Sequence, residues 1–185
     1  MAYPKITVNT GLVLDVIASD TIPIPSPDLP VLSGTTTAAT ANKLVDVGAD
    51  FSNVSVNDIV YNTTDNTSAT VTAIDTSTIL SVSANIFTSP EDYKIFLGGP
   101  NGSSRINSSE GCLLYVGSSA SILQDITPGV GTADPRYVNV KVKSIAGNDV
   151  VFTNFKVGNY LPIQITQLYA TQSSSTILSN CLAIW

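Results

Sequence analysis

Tyr137 to Lys143 is the stretch that leaves the chain least freedom. Val138, Val140 and Val142 alternate without a break with Tyr137, Asn139, Lys141 and Lys143. On a pleated strand this period of two puts the valines on one face and the polar residues on the other. On a helix the same residues would smear around the whole surface. Gly147-Asn148-Asp149 follows as a tight-turn signal, and Val150 to Phe155 runs back, so the region reads as a hairpin with one buried face. Helix has little support elsewhere. Glu occurs only at Glu91 and Glu110 and good helix formers are scarce, whereas Val, Ile, Thr and Tyr are plentiful and suit a pleated, half-buried surface. Charged residues are 12% of the chain and hydrophobic ones 43%, which argues for a packed all-β protein and against disorder.

With 185 residues there is room for one ordinary domain, or for one carrying a smaller insert. Lys5 to Val8 and Leu12 to Ala18 read as short strands around Asn9-Thr10-Gly11. Pro23, Pro25, Pro27 and Pro30 then exclude helix and central strand, so Pro23 to Pro30 is expected to be an extended strap. Residues 31–98 read as a unit of their own, a small SH3-like β-barrel. A single helical turn is expected over Asp46 to Phe51, a strand over Val56 to Tyr61, and a hairpin from Ser68 to Ile74 and Thr78 to Ser83. Between strand and hairpin, Asn62 to Thr67 is a run of residues whose side chains bond their own backbone. Gly98 to Ser104 is a linker back to the main domain. There Cys112 to Val116 is a nearly all-apolar, central strand and residues 124–135 a loop. Two last strands are expected to form a hairpin, Leu161 to Ala170 and Thr176 to Trp185, joined by Thr171 to Ser175. A slip of apolar phase at Leu168 indicates a bulge. Seven or eight strands outside the insert fit a jelly-roll-like β-sandwich, formed by residues 1–30 and 99–185.

The net charge is −6, and the eight basic residues are scattered, which argues against nucleic acid as a partner. No apolar stretch is long enough to cross a membrane as a helix and no basic leader precedes an apolar run, so a soluble protein made in a cytoplasm is expected. Histidine is absent, which removes the usual base of a nucleophilic triad. Asp20, Asp28, Asp46, Asp50, Asp65, Asp75, Asp125 and Asp149 sit at turns, where caps explain them better than acid–base work. No zinc spacing, EF-hand spacing or phosphate loop is present, so no catalytic residue, metal or cofactor is assigned. Cys112 and Cys181 lie in apolar runs and read as two buried thiols; a disulfide would need a proximity that sequence does not give. Tyr115, Tyr137, Tyr160, Tyr169 and Trp185 suit core or interface anchors, with sugar stacking as the other use. Leu182, Ile184 and Trp185, at the end of a run apolar on both faces, are expected to be buried in the core or against another chain.

Several ordered segments go further. They are Gly111-Cys112-Leu113-Leu114-Tyr115-Val116-Gly117, Asp149 to Phe155, Gly158-Asn159-Tyr160-Leu161-Pro162-Ile163-Gln164, Tyr169-Ala170-Thr171 and Ile177 to Trp185. Together they resemble a family of small virion proteins of tailed phages and gene transfer agents, the capsid spike-base proteins. Ala18-Ser19-Asp20-Thr21 is similar to a segment near that family's start, and residues 40–97 resemble a module of phage structural proteins. Gln172 stands where the family tends to have Gly, and Cys181 enters its final strand. The resemblance implies a non-enzymatic jelly roll on the capsid surface, acting as decoration, cement or spike base. It implies self-association as a trimer or pentamer and contact with the major capsid protein or another virion protein, with assembly in the host cytoplasm. Contact would fall to Leu182, Ile184 and Trp185, with Tyr160 and Tyr169. The alternative expectation is a carbohydrate- or host-surface-binding module of a tail or fibre.

Overall fold

The computed structural model describes residues 13–25, 30–88, 90–98, 111–117, 136–174, 177–178 and 180–185. The expected strand over Lys5 to Val8, most of the linker after Gly98 and the loop 124–135 lie outside them. Twelve strands are described: β1 (Val13–Asp15), β2 (Pro30–Thr35), β3 (Lys43–Val45), β4 (Ile59–Asn62), β5 (Thr67–Thr76), β6 (Ile79–Val82), β7 (Asp92–Phe96), β8 (Cys112–Val116), β9 (Tyr137–Ser144), β10 (Asp149–Lys156), β11 (Asn159–Leu168) and β12 (Cys181–Ile184). The chain is all-β, as its alternation requires. Its two six-stranded sheets are antiparallel, and one of them curls on itself. It divides into two compact units, residues 1–20 with 110–185 and residues 21–109. The expected insert, 31–98, falls within the second. The division at Thr21 assigns the proline-rich strap to that unit, and Pro30 already begins β2, where a missing N–H is tolerated.

The sheet of the first unit runs β1-β12-β8-β11-β9-β10. The expected C-terminal hairpin does not form. β8 lies between β11 and β12 and pairs antiparallel with both. The reason is the apolar character of β8, which favours the interior of a sheet with a neighbour on each side. One face of the sheet is buried from β1 to β9, and only β10 at the edge has no buried residue. Leu14, Cys112, Leu114, Val116, Val138, Val140, Val142, Leu161, Ile165, Cys181 and Ala183 are all at most 9% exposed. The phase slip near Leu168 is a register shift between Ile165 and Gln167 against β9. It lets Ile165 and Leu168 both be buried although they are three positions apart, an odd offset that would put them on opposite faces of a regular strand. β10 carries a second bulge between Phe152 and Phe155, with Asn154 in the left-handed region at φ 53°.

The sheet of the second unit runs β2-β7-β4-β5-β6-β3. β5 shifts register between Val71 and Ala73, which bends it enough to serve both halves of the curl. A bridge from Ala38, just past β2, to Val45 of β3 brings the two ends of the order together. Inside lie Leu44, Phe51, Val60, Ala69, Val71, Leu80, Phe87, Tyr93 and Ile95. The Tyr93 hydroxyl donates to Asp46 Oδ2 at 2.7 Å, and Gly34 is packed where a Cβ would stand 2.6 Å from that hydroxyl. The helical turn falls later than expected, as a 3-10 turn over Phe51–Asn53. Its position follows from Asp50, whose side chain accepts from Ser52 N as an N-cap does. The turn after β4 is held by Asn62, whose Oδ1 accepts from Thr64 N and Asp65 N.

Candidate interaction surface

The face of the first sheet opposite its buried one is built by register. β1 and β12 set Val13 opposite Ile184 and Asp15 opposite Leu182. β12 and β8 set Ile184 opposite Leu113 and Leu182 opposite Tyr115. β8 and β11 set Leu113 opposite Gln164 and Tyr115 opposite Tyr160. Two rows therefore cross four strands: Val13–Ile184–Leu113–Gln164 and Asp15–Leu182–Tyr115–Tyr160. Leu113, Tyr115, Leu182 and Ile184 are all half-buried, while Val13 is 54% and Tyr160 55% exposed. The Tyr115 and Tyr160 rings meet at 5.2 Å between centroids, tilted by 57°. Neighbouring strands are about 4.8 Å apart and alternate residues about 6.6 Å, so these side chains form one continuous apolar patch. Asp15 is the one charged residue among the eight of these two rows.

Three of the five residues expected to make contacts are thus brought together: Leu182, Ile184 and Tyr160. Trp185 is half-buried just beyond the end of β12. Tyr115, read from sequence as a core or interface anchor, joins them, and Val13 and Leu113 complete the patch although sequence reasoning did not single those two out as contacts. An all-apolar strand such as β8 reads as buried on both faces. The available signal was that the neighbouring strand, at Leu182 and Ile184, is apolar on both faces as well.

Tyr169 is placed elsewhere, at 8% exposure. Its hydroxyl donates to Asp149 Oδ1 at 2.7 Å, and Lys141 Nζ lies 4.5 Å from the centre of its ring. The bond to Asp149 holds the Tyr169 phenol above its ordinary range, because ionising it would set two negative charges together. Alongside, Asp20 Oδ1 accepts from the N–H and the hydroxyl of Thr171 at 3.0 and 2.8 Å. Gln167 Nε2 donates to Ser19 O at 2.9 Å. Two segments of the family resemblance, Ala18 to Thr21 and Tyr169 to Thr171, are therefore hydrogen-bonded to each other. The Thr171 bonds draw the Asp20 carboxyl below its ordinary value, since they favour its charged form.

Several acids of the turns are occupied locally. Asp46 accepts from Gly48 N, Asp58 from Ser55 N and Gly98 N, and Asp75 meets Lys43 Nζ at 2.8 Å. Asp28 and Asp125 lie outside the described residues. Asp65 is drawn above its ordinary range by hydrogen bonding with Glu91. Glu91 is held below its own by the hydroxyl and N–H of Thr88, both at 2.7 Å. Asn62 Nδ2 also donates to Glu91, at 3.1 Å, so this carboxylate is committed to fixing the loop before β7. Cys112 and Cys181 are free and buried, and burial pushes both thiols up to about 12. Cys181 pairs with Val116, four residues along β8 from Cys112. That is about 13 Å at the rise of a strand, beyond the reach of a disulfide. Among the described residues no group of three or more His, Cys, Asp or Glu could hold a metal ion. No helix among them is long and apolar enough to cross a membrane. In comparisons with known proteins, no protein family, no curated protein and no solved structure matches the chain.

Proposed function

We propose that this chain is a non-enzymatic structural protein of a phage-like particle, working as a symmetric oligomer on the particle surface as decoration, cement or spike base. One observation carries the contact function: the four-stranded apolar face on which Leu182 and Ile184 meet Val13, Leu113, Tyr115 and Tyr160. A contiguous apolar patch with a polar surround is the usual mark of a surface that another protein covers. The family resemblance of the segments around β8, β11 and β12 supplies the setting, and the partners are further copies of the chain and the major capsid protein or another virion protein. The function is then geometric: strands hold the face, and the face holds the neighbour.

The test is native mass by light scattering over a concentration series, followed by mixing with capsids that lack the protein. A closed trimer or pentamer that binds such capsids, and loses one or both properties with Leu182→Asp or Ile184→Asp, is the expected result. A second reading, a carbohydrate- or host-surface-binding module of a tail or fibre, draws on the exposed Tyr160 beside Tyr115. A monomer that ignores capsids but binds glycans, with the binding lost in Tyr160→Ala, would replace the first reading by the second.

A further inference from the structure

β10 ends the sheet order of the first unit, and its residues are exposed or half-buried throughout. We infer that this edge pairs antiparallel with the β10 of a second copy, about a two-fold axis, so that Asp149 of each faces Lys156 of the other. This adds a second contact to the assembly proposed above, on different residues.

Three observations converge on that register. The first is charge: β10 begins with Asp149 and ends with Lys156, so antiparallel pairing sets opposite charges together at both ends. The second is facing. Residues 149 and 156 are an odd number apart, and in a regular strand they would point to opposite faces. The bulge between Phe152 and Phe155 cancels this. Asp149 stands opposite Lys143 and Lys156 opposite Tyr137, residues of one face of β9, while Val150 stands opposite Val142 and Phe155 opposite Val138, on the other. The register that joins Asp149 to Lys156 therefore also joins Val150 to Phe155, each pair on a common face. The third is the backbone. Ser144 N donates to Asn148 O, so in the alternating antiparallel pattern Val150 and Phe152 bond β9 while Asp149 and Val151 turn their N–H and C=O outward. Beyond the bulge, Val157 N donates to Arg136 O, so Phe155 bonds β9 and Lys156 turns outward. Asp149 and Lys156 thus both turn their backbone groups outward where the ladder needs them; the Lys156 carbonyl accepts from Asn159 Nδ2 at 3.1 Å and keeps its second lone pair for the ladder. A bulge usually twists an edge away from partners; this one brings both ends of β10 into a self-complementary phase.

The experiment is sedimentation velocity of the full chain over a series reaching the millimolar range, since a contact of two strands is small and weak. A reversible dimer that weakens with salt is expected. Lys156→Glu should raise its dissociation constant by about tenfold or more, and Asp149→Lys with Lys156→Asp should restore it. Because Asp149 also serves Tyr169, a second variant is needed. Val150→Cys with Phe155→Cys should give a covalent dimer on mild oxidation. A chain that stays monomeric throughout, or one whose self-association ignores Lys156→Glu and yields no covalent dimer, overturns the inference. Association lost in Ile184→Asp but kept in Lys156→Glu would leave the apolar face standing and remove the edge contact. The reverse pattern would keep the edge contact and remove the face.

Discussion

Gly34 and Gln172 show how narrowly single positions are set. A Cβ at residue 34 would lie 2.6 Å from the Tyr93 hydroxyl and 2.7 Å from Asp46 Oδ2, and these two groups are bonded to each other in the interior. Gly34→Ala should therefore destabilise the second unit by about 1–3 kcal/mol, the usual cost of overpacking, as read from its denaturant midpoint. Gln172 sits at φ 63°, a backbone region that costs an L-residue about 1 kcal/mol or more. Glycine adopts it freely but loses more entropy on folding. Gln172→Gly should raise the first unit's midpoint by an amount worth less than about 1 kcal/mol, and a fall would show that the Gln side chain earns its place by contacts. Asp20 gives a dependence on pH. Its folded value lies below the ordinary 3.8, so its contribution is present above that value and is lost as pH falls through the folded one. Wild type should lose stability to acid in that window more steeply than Asp20→Asn, as measured by unfolding at a series of pH values.

At the scale of the element, β12 presents two different faces on alternate residues. Cys181 and Ala183 are at most 1% exposed, whereas Leu182 and Ile184 are half-buried on the opposite face. Ala183→Leu should cost about 1–3 kcal/mol. Leu182→Ser should cost less than Ala183→Leu and should act chiefly on association, which light scattering beside a denaturation curve would separate. The same strand shows what sequence could and could not give. Strand identity was legible in β9, where Val138, Val140 and Val142 fix the phase, and in the slip at Leu168. The apolar surplus at Leu182 and Ile184 was legible, and their shared face with Tyr160 emerged only from register. Pairing was not legible. Nearness in sequence favoured β11 with β12, but β8, from well upstream in the chain, offers a more apolar neighbour to both. Propensity and alternation are local, and the choice of partner strand is not. For the same reason Val13, opposite Ile184, carried no signal of its own.

In the whole molecule the second unit has its own closed core, and its first and last strands are neighbours. Residues 21–109 expressed alone should unfold in a single cooperative transition by circular dichroism, with amide protection on β4, β5 and β7. A chain without such a transition would show that the unit depends on the rest of the protein.

Because β2 pairs with β7, setting Pro30 opposite Phe96, the start of the first strand and the end of the last strand of the second sheet lie a single rung apart. To the first sheet, in which β1 must find β12 across the insertion, a folded second unit is a short tether, whereas an unfolded one is a floppy loop of 89 residues (21 to 109). Closing the long loop costs more by about 1 kcal/mol, since the entropy of closure grows with the logarithm of length. Melting the second unit should therefore loosen the hold on β1 through the length of the tether, a coupling carried by chain statistics.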